Sequence, residues 1–227
     1  MTLHLSPPPA GALRAVLSAL ASGAALPPPA TAGPGRPRPL LALPVHALRG
    51  PAPRLAGAEC TGWRFLLSER ADPAAPAPCG HGGCGANGAN GGGGGDEARE
   101  YGPLAVGEFT ADGLDGVIAA AEVVNGPDGP VFSHLSAGPF LDSTVRALRE
   151  AWQLARGGPT RYQPRLLPLP EHYASALWLH GGRPGDDLLI PLAPAPLGVA
   201  AHQALPAAEL LARLERSPAA RATALIG

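Results

Sequence analysis

The sequence predicts an α+β protein with a single antiparallel sheet, helices packed on that sheet, and a disordered insertion rich in Gly and Pro. Apolar runs of strand length alternate with amphipathic stretches of helical period, in the order helix, strands, helix, strands, helix. Tight turn signals join the strand candidates into hairpins, and hairpins imply antiparallel pairing because parallel neighbours need long crossovers. Helices covering a face of an antiparallel sheet give the usual α+β arrangement.

The composition indicates a small core and a division into three regions. Gly and Pro number 31 and 29 among 227 residues, together more than a quarter, and only 4% are aromatic. All 17 basic residues are Arg, which we attribute to the coding bias of a GC-rich bacterium. We predict an N-terminal amphipathic helix with a Pro-rich linker (1–39), a single α+β domain (40–215) interrupted by a disordered loop at about 69–115, and a C-terminal tail (216–227).

The first elements are a helix and two strands. Apolar residues at helical spacing predict a helix over residues 10–22, with Gly23 as its end. Residues 40–48 predict a short strand, which Pro44 would confine to a sheet edge because proline has no N–H to donate to a second neighbour. Residues 63–67 predict the next strand, since three large apolar side chains alternate onto one face: Trp63, Phe65 and Leu67.

The middle of the chain carries the strongest hairpin and helix signals. Apolar runs at 117–124 and 131–135 flank two turn dipeptides, Asn-Gly and Asp-Gly, which predict a hairpin. Residues 141–156 predict a helix that Asp142 or Ser143 can cap. Its apolar stripe is expected to bury Leu141, Val145, Leu148, Trp152 and Ala155 against the sheet.

Three further strands and a last helix complete the expected domain. The strands are predicted at 165–169, 175–180 and 187–192, with the last two joined as a hairpin by a Gly-rich loop. Pro206 opens the final helix, whose apolar side chains face one way.

The first candidate site is a metal cluster in the Gly-rich tract. Cys79, His81 and Cys84 lie within six residues, and Cys60 is available as a fourth ligand. Thiolates and imidazole are the ligands that zinc prefers. The spacing is not a standard zinc pattern, however, and residues 80–95 contain ten glycines, so we expect a disordered low-complexity insertion without a cofactor and keep zinc or thiol-redox chemistry as an alternative.

The second and third candidates are acid–base groups. His180 and Asp187 flank a six-residue turn, so an antiparallel hairpin would place them nearly opposite one another, and an Asp that orients a His is part of many nucleophile-activating systems. Glu122 stands alone in an apolar run, where burial would make it an acid or base. The opposing expectations are a solvated hairpin tip for the pair and a solvent-exposed strand face for Glu122.

The charge and hydropathy of the chain argue against nucleic-acid and membrane partners. The net charge is −1 with acids and bases interspersed, so we expect no nucleic-acid partner. No apolar stretch reaches the roughly 20 residues that span a bilayer, so we expect no membrane partner. Three cysteines cannot all pair with one another, which favours a reducing cytoplasmic setting, with secretion as the minority alternative.

The sequence contains no coherent catalytic motif and no G-x-S-x-G element. We therefore expect a non-enzymatic binding or assembly module that acts through a protein partner or self-association. The alternatives are a hydrolase or transferase that uses His180 with Asp187, or Glu122, and a metal-binding or thiol-redox protein.

Overall fold

The structure is a computed structural model, which describes residues 3–24, 37–48, 55–69, 104, 107–108, 110–183 and 185–216. Three α-helices lie in these ranges: α1 (Ala10–Ala21), α2 (Pro139–Gly157) and α3 (Ala207–Glu215). The strands there are β1 (His4–Leu5), β2 (Arg38–Ala47), β3 (Glu59–Ser68), β4 (Gly107–Glu108), β5 (Val117–Gly126), β6 (Gly129–Ser136), β7 (Gln163–Leu169), β8 (Ala174–His180), β9 (Leu188–Pro191) and β10 (Leu205–Pro206).

An eight-stranded sheet organises the fold, in the order β10-β9-β8-β7-β2-β3-β5-β6, while β1 and β4 form a separate antiparallel pair. The predicted α+β class is confirmed. The sheet is antiparallel at each junction except one, because β2 and β7 run parallel with Val45 opposite Leu166. The sheet therefore consists of two antiparallel four-stranded halves joined along one parallel seam.

The prediction that Pro44 places its strand at an edge is wrong, because β2 lies between β3 and β7 in the middle of the sheet. Pro44 pairs with Trp63 on the antiparallel side. On the other side only Val45 and Leu166 are in register, and β7 itself carries Pro164 and Pro168. A strand residue without an N–H is tolerated where few ladder hydrogen bonds form, and the seam is such a place.

Helices cover both faces of the sheet rather than one. On the first face, α2 packs Leu148 against Leu66 and Leu177 in a single cluster. On the opposite face, α1 buries Val16 against the half that contains β3, β5 and β6, and α3 buries Leu210 against the half that contains β7, β8 and β9. The N-terminal helix α1 therefore packs on the same eight-stranded sheet as α2 and α3.

The predicted hairpin and helices are observed with small differences. β5 and β6 pair antiparallel around the expected turn, with Gly126 opposite Gly129. Helix α2 begins two residues earlier than predicted, so Gly138 is its N-cap, and neither Asp142 nor Ser143 caps it. The buried stripe is largely as predicted, since Leu141, Val145, Leu148 and Ala155 are buried. Trp152 is the exception, because it is only half-buried at the edge of the cluster, whereas Ala147 and Ala151 are fully buried.

The disordered loop predicted at about 69–115 is wrong at its C-terminal end, because β4 (Gly107–Glu108) pairs with β1 and a 3₁₀ helix at Ala111–Gly116 buries Leu114. The Gly-rich tract at 80–95 and the C-terminal residues from 217 onward lie outside the described residues. Within the described part, none of the helices is both long and apolar enough to cross a membrane.

Candidate functional site

The structure brings His180 and Asp187 together as the hairpin spacing predicts. His180 Nδ1 lies 2.9 Å from Asp187 Oδ1, and the same oxygen accepts the Gly181 N–H at 3.0 Å. The side chains are 32% and 18% exposed, so the pair is half-buried rather than solvated. Asp187 thus orients the imidazole and closes the turn between β8 and β9, and the use of this pair in catalysis stays a prediction.

Glu122 lies apart from that pair, and its carboxylate contacts an arginine side chain. It forms an ion pair with Arg64 on β3, and the two side chains are 13% and 15% exposed. The Arg64 guanidinium also stacks on the Phe140 ring, 4.5 Å from its centroid, at the start of α2. The solvent-exposed face expected for Glu122 is therefore wrong, because α2 covers it and Arg64 supplies the charge that a buried carboxylate needs.

The proposed metal ligands Cys79, His81 and Cys84 lie outside the described residues. Cys60 is described and is exposed on β3. Its thiol contacts the Gly62 carbonyl oxygen at 3.5 Å. In the part of the chain that the structure describes, no three His, Cys, Asp or Glu side chains are arranged to hold a metal ion.

A group of polar and aromatic side chains occupies the middle of the face that carries α1 and α3. We call it the polar centre and define it as His46, Arg165, Trp178 and His180. The Trp178 ring makes edge contacts with His46 and His180, at 5.4 and 5.3 Å between ring centroids. Cys60 stands opposite His46 in the ladder between β2 and β3, hence on the same face.

Arg165 lies over Trp178, with the guanidinium carbon 4.6 Å from the ring centroid. Its Nε and Nη2 both donate to Gln163 Oε1, at 3.1 and 2.6 Å, which fixes the plane of the guanidinium. Burial lowers the pKa of Arg165, and the charge of Asp187 partly opposes this effect. Among the described residues, no carboxylate forms an ion pair with this half-buried cation.

His46 is the most perturbed titratable group of the centre. Burial lowers its pKa to about 4, helped by the charges of Arg165 and His180 and opposed by the nearby Pro44 carbonyl. The imidazole is therefore neutral at pH 7. Its Nδ1 and the Nε1 of Trp178 are buried, and neither has a hydrogen-bond partner within the described ranges. These residues are 8% and 2% exposed.

A Ser–His contact, which the sequence did not suggest, ties α2 to the chain after β9. Ser143 Oγ lies 2.7 Å from His202 Nε2 and accepts the Ala193 N–H at 2.7 Å. His202 has a positive φ of 63°. Burial and then Arg146 lower its pKa. Ser143 is 4% exposed and already holds a backbone N–H, so we assign this contact a structural role.

Sequence reasoning identified His180 and missed the rest of the polar centre. A signal for Arg165 existed, because Gln163 and Arg165 alternate onto one face of β7, as Trp178 and His180 do on β8. His46 carried no such signal, since β2 meets β7 across a seam that joins distant parts of the chain.

Comparisons with protein-family models, with curated proteins and with solved structures found no match for this chain.

Proposed function

We propose that the protein is a non-enzymatic binding module and that it engages a protein partner through the polar centre. The observation that supports this most is the pair of buried ring nitrogens, His46 Nδ1 and Trp178 Nε1, without partners in the described chain. Buried polar groups in folded proteins are almost always hydrogen-bonded, since an unmet one costs about 1–3 kcal/mol. A group supplied by a partner would meet that need.

The location of the centre supports the same proposal. Helix α1 packs on β5 and β6, while α3 packs on β9 and β10, and the polar centre lies on strands between them. Cys60 is exposed on this face and His180 is partly exposed, so a partner has access to its rim. A polar rim around a desolvated aromatic and Arg core is typical of protein interfaces.

The second candidate is a hydrolase or transferase that uses His180 as general base. The 2.9 Å contact with Asp187 favours it, because it holds the imidazole in one orientation through Nδ1, and Nε2 forms no hydrogen bond with the described residues. Weighing against it, the same Asp187 oxygen accepts the Gly181 N–H and closes the turn, which explains the contact without catalysis.

Site-directed photo-crosslinking tests the binding proposal. We would replace exposed Cys60 by p-benzoylphenylalanine in cells that make the protein, with exposed Gln153 on α2 as the control position on the opposite face. We expect a discrete adduct from position 60 and none from position 153. The captured protein, or a second copy of this chain, must then bind the purified wild type and bind His46→Leu more weakly. Adducts only from position 153 would refute the proposal. So would a captured protein that binds wild type and His46→Leu equally well.

A further inference from the structure

We propose that the polar centre is an oxyanion site, in which Arg165 binds a carboxylate or phosphate group. This inference rests on the binding function proposed above and assigns the chemistry that the site recognises.

The open edge of the guanidinium is the first argument. Arginine has five N–H donors, of which Nε and one on Nη2 are used by Gln163. The Nη1 donors and the second Nη2 donor form no hydrogen bond with the rest of the described chain. Two parallel donors at that edge match the two oxygens of a carboxylate or phosphate. Gln163 and Trp178 hold the guanidinium in one plane, so its side chain loses little conformational entropy when the anion binds.

The charge balance is the second argument. Asp187 and, more weakly, the Cys60 thiol act on Arg165, yet Asp187 Oδ1 is already shared by His180 and Gly181. Arg165 therefore remains a half-buried cation without a bound counter-charge among the described residues. A buried charge is stable only when it is paired, so an incoming anion gains more here than at an exposed arginine.

The Trp178 ring is the third argument. Its indole N–H is a pure donor, it is buried, and it has no hydrogen-bond partner in the described ranges. The ring lies under the Arg165 guanidinium, whose central carbon is 4.6 Å from the ring centroid. A donor of this kind next to a guanidinium favours oxygen ligands that accept several hydrogen bonds, as oxyanions do.

Titration with simple salts tests the site. Wild-type protein is titrated with sodium phosphate and with sodium acetate at constant ionic strength, with sodium chloride as the reference salt. The readouts are the thermal midpoint and the Trp178 indole N–H resonance, assigned with Trp178→Phe. We expect a saturable response to at least one of the two anions, and the stronger response identifies phosphate or carboxylate as the preferred source.

Three variants test whether the response to the anion comes from Arg165. Arg165→Gln should weaken binding at least about tenfold, as expected for loss of a hydrogen bond to a charged group. Arg165→Lys keeps the charge but not the fork, so it should also bind more weakly, and it serves if Arg165→Gln does not fold. Arg149→Gln is the matched control, because Arg149 is exposed on α2 and paired with Asp115.

The two proposals fail in different ways. No saturable response in wild type, or an unchanged response in both Arg165 variants, overturns the oxyanion site. A captured partner that binds Arg165→Gln as well as it binds wild type also overturns it, while the binding function stands. Anion binding without any partner adduct supports the oxyanion site and refutes the protein-binding function.

Discussion

Gly62 should be among the least replaceable residues of the sheet, because a side chain there would meet the backbone of the neighbouring strand β5. Gly62 pairs with Val124 of β5. A Cβ atom at this position would lie 2.2 Å from the Val123 carbonyl oxygen and 3.2 Å from the Val124 Cα. Both neighbours are backbone atoms of the adjacent strand, so no side-chain rotation can relieve the contact.

Gly62→Ala must therefore separate two hydrogen-bonded strands by more than about 1 Å, because ordinary van der Waals contact begins at 3.4 Å and the added atom would lie 2.2 Å from the carbonyl oxygen. Overpacking of a core costs about 1–3 kcal/mol, and occasionally more. We expect a loss of about 3 kcal/mol in the free energy of unfolding, since the ladder hydrogen bonds lengthen as well. This is a large fraction of the roughly 5–15 kcal/mol that a domain has.

Urea denaturation followed by far-UV circular dichroism measures the effect. Gly57→Ala is the matched control, because a Cβ there meets no atom within 4 Å. That variant should stay within about 0.5 kcal/mol of wild type. The slope of the free energy against urea should be unchanged in both variants, which shows that the denatured state is not altered. Equal stability of the two variants would refute the strand-contact argument.

Three further predictions concern charge, packing and pH. Glu122→Gln should cost about 1–3 kcal/mol in urea denaturation, because it leaves Arg64 buried without its counter-charge; no loss would mean that the pair is solvated. Leu148→Ala should cost about 3 kcal/mol, and more than Trp152→Ala, since Leu148 is fully buried and Trp152 only half-buried; the reverse order would place Trp152 in the core. The folded-state pKa of His46 is about 4, below its usual 6.5, so the unfolded chain binds the proton more readily. Stability should fall as pH drops from about 6.5 to 4, by at most about 3 kcal/mol, and His46→Gln should lose that part of the pH dependence; an identical profile in the variant would contradict the assignment.

The elements that could be predicted from the sequence are those defined by neighbouring residues. The turn between β5 and β6 follows from two Gly-containing dipeptides, and the contact between His180 and Asp187 follows from hairpin spacing. Helix α2 follows from apolar periodicity, although its cap was misplaced because Pro139 starts the helix after Gly138 rather than at a polar cap.

What could not be predicted depends on contacts between distant parts of the chain. The pairing of Val45 with Leu166 has no local signal, and it decides that β2 is central. The same pairing brings β2 beside the strands that carry Arg165 and Trp178, which completes the polar centre. The shielding of Glu122 likewise depends on α2, which follows it in the chain and packs on the sheet face that carries Glu122 and Arg64.

The parallel seam has a consequence for how the chain is made. β3 follows β2 closely during synthesis, whereas β7 begins only at Gln163, so the other side of β2 has no neighbour while most of the chain is still being added. An unpaired strand side invites pairing with other nascent chains. Pro39 and Pro44 have no N–H to offer such a neighbour. β2 is a central strand in the finished protein, but until β7 is made one side of it is a sheet edge. During that period its prolines limit pairing with other chains, as prolines do in permanent edge strands.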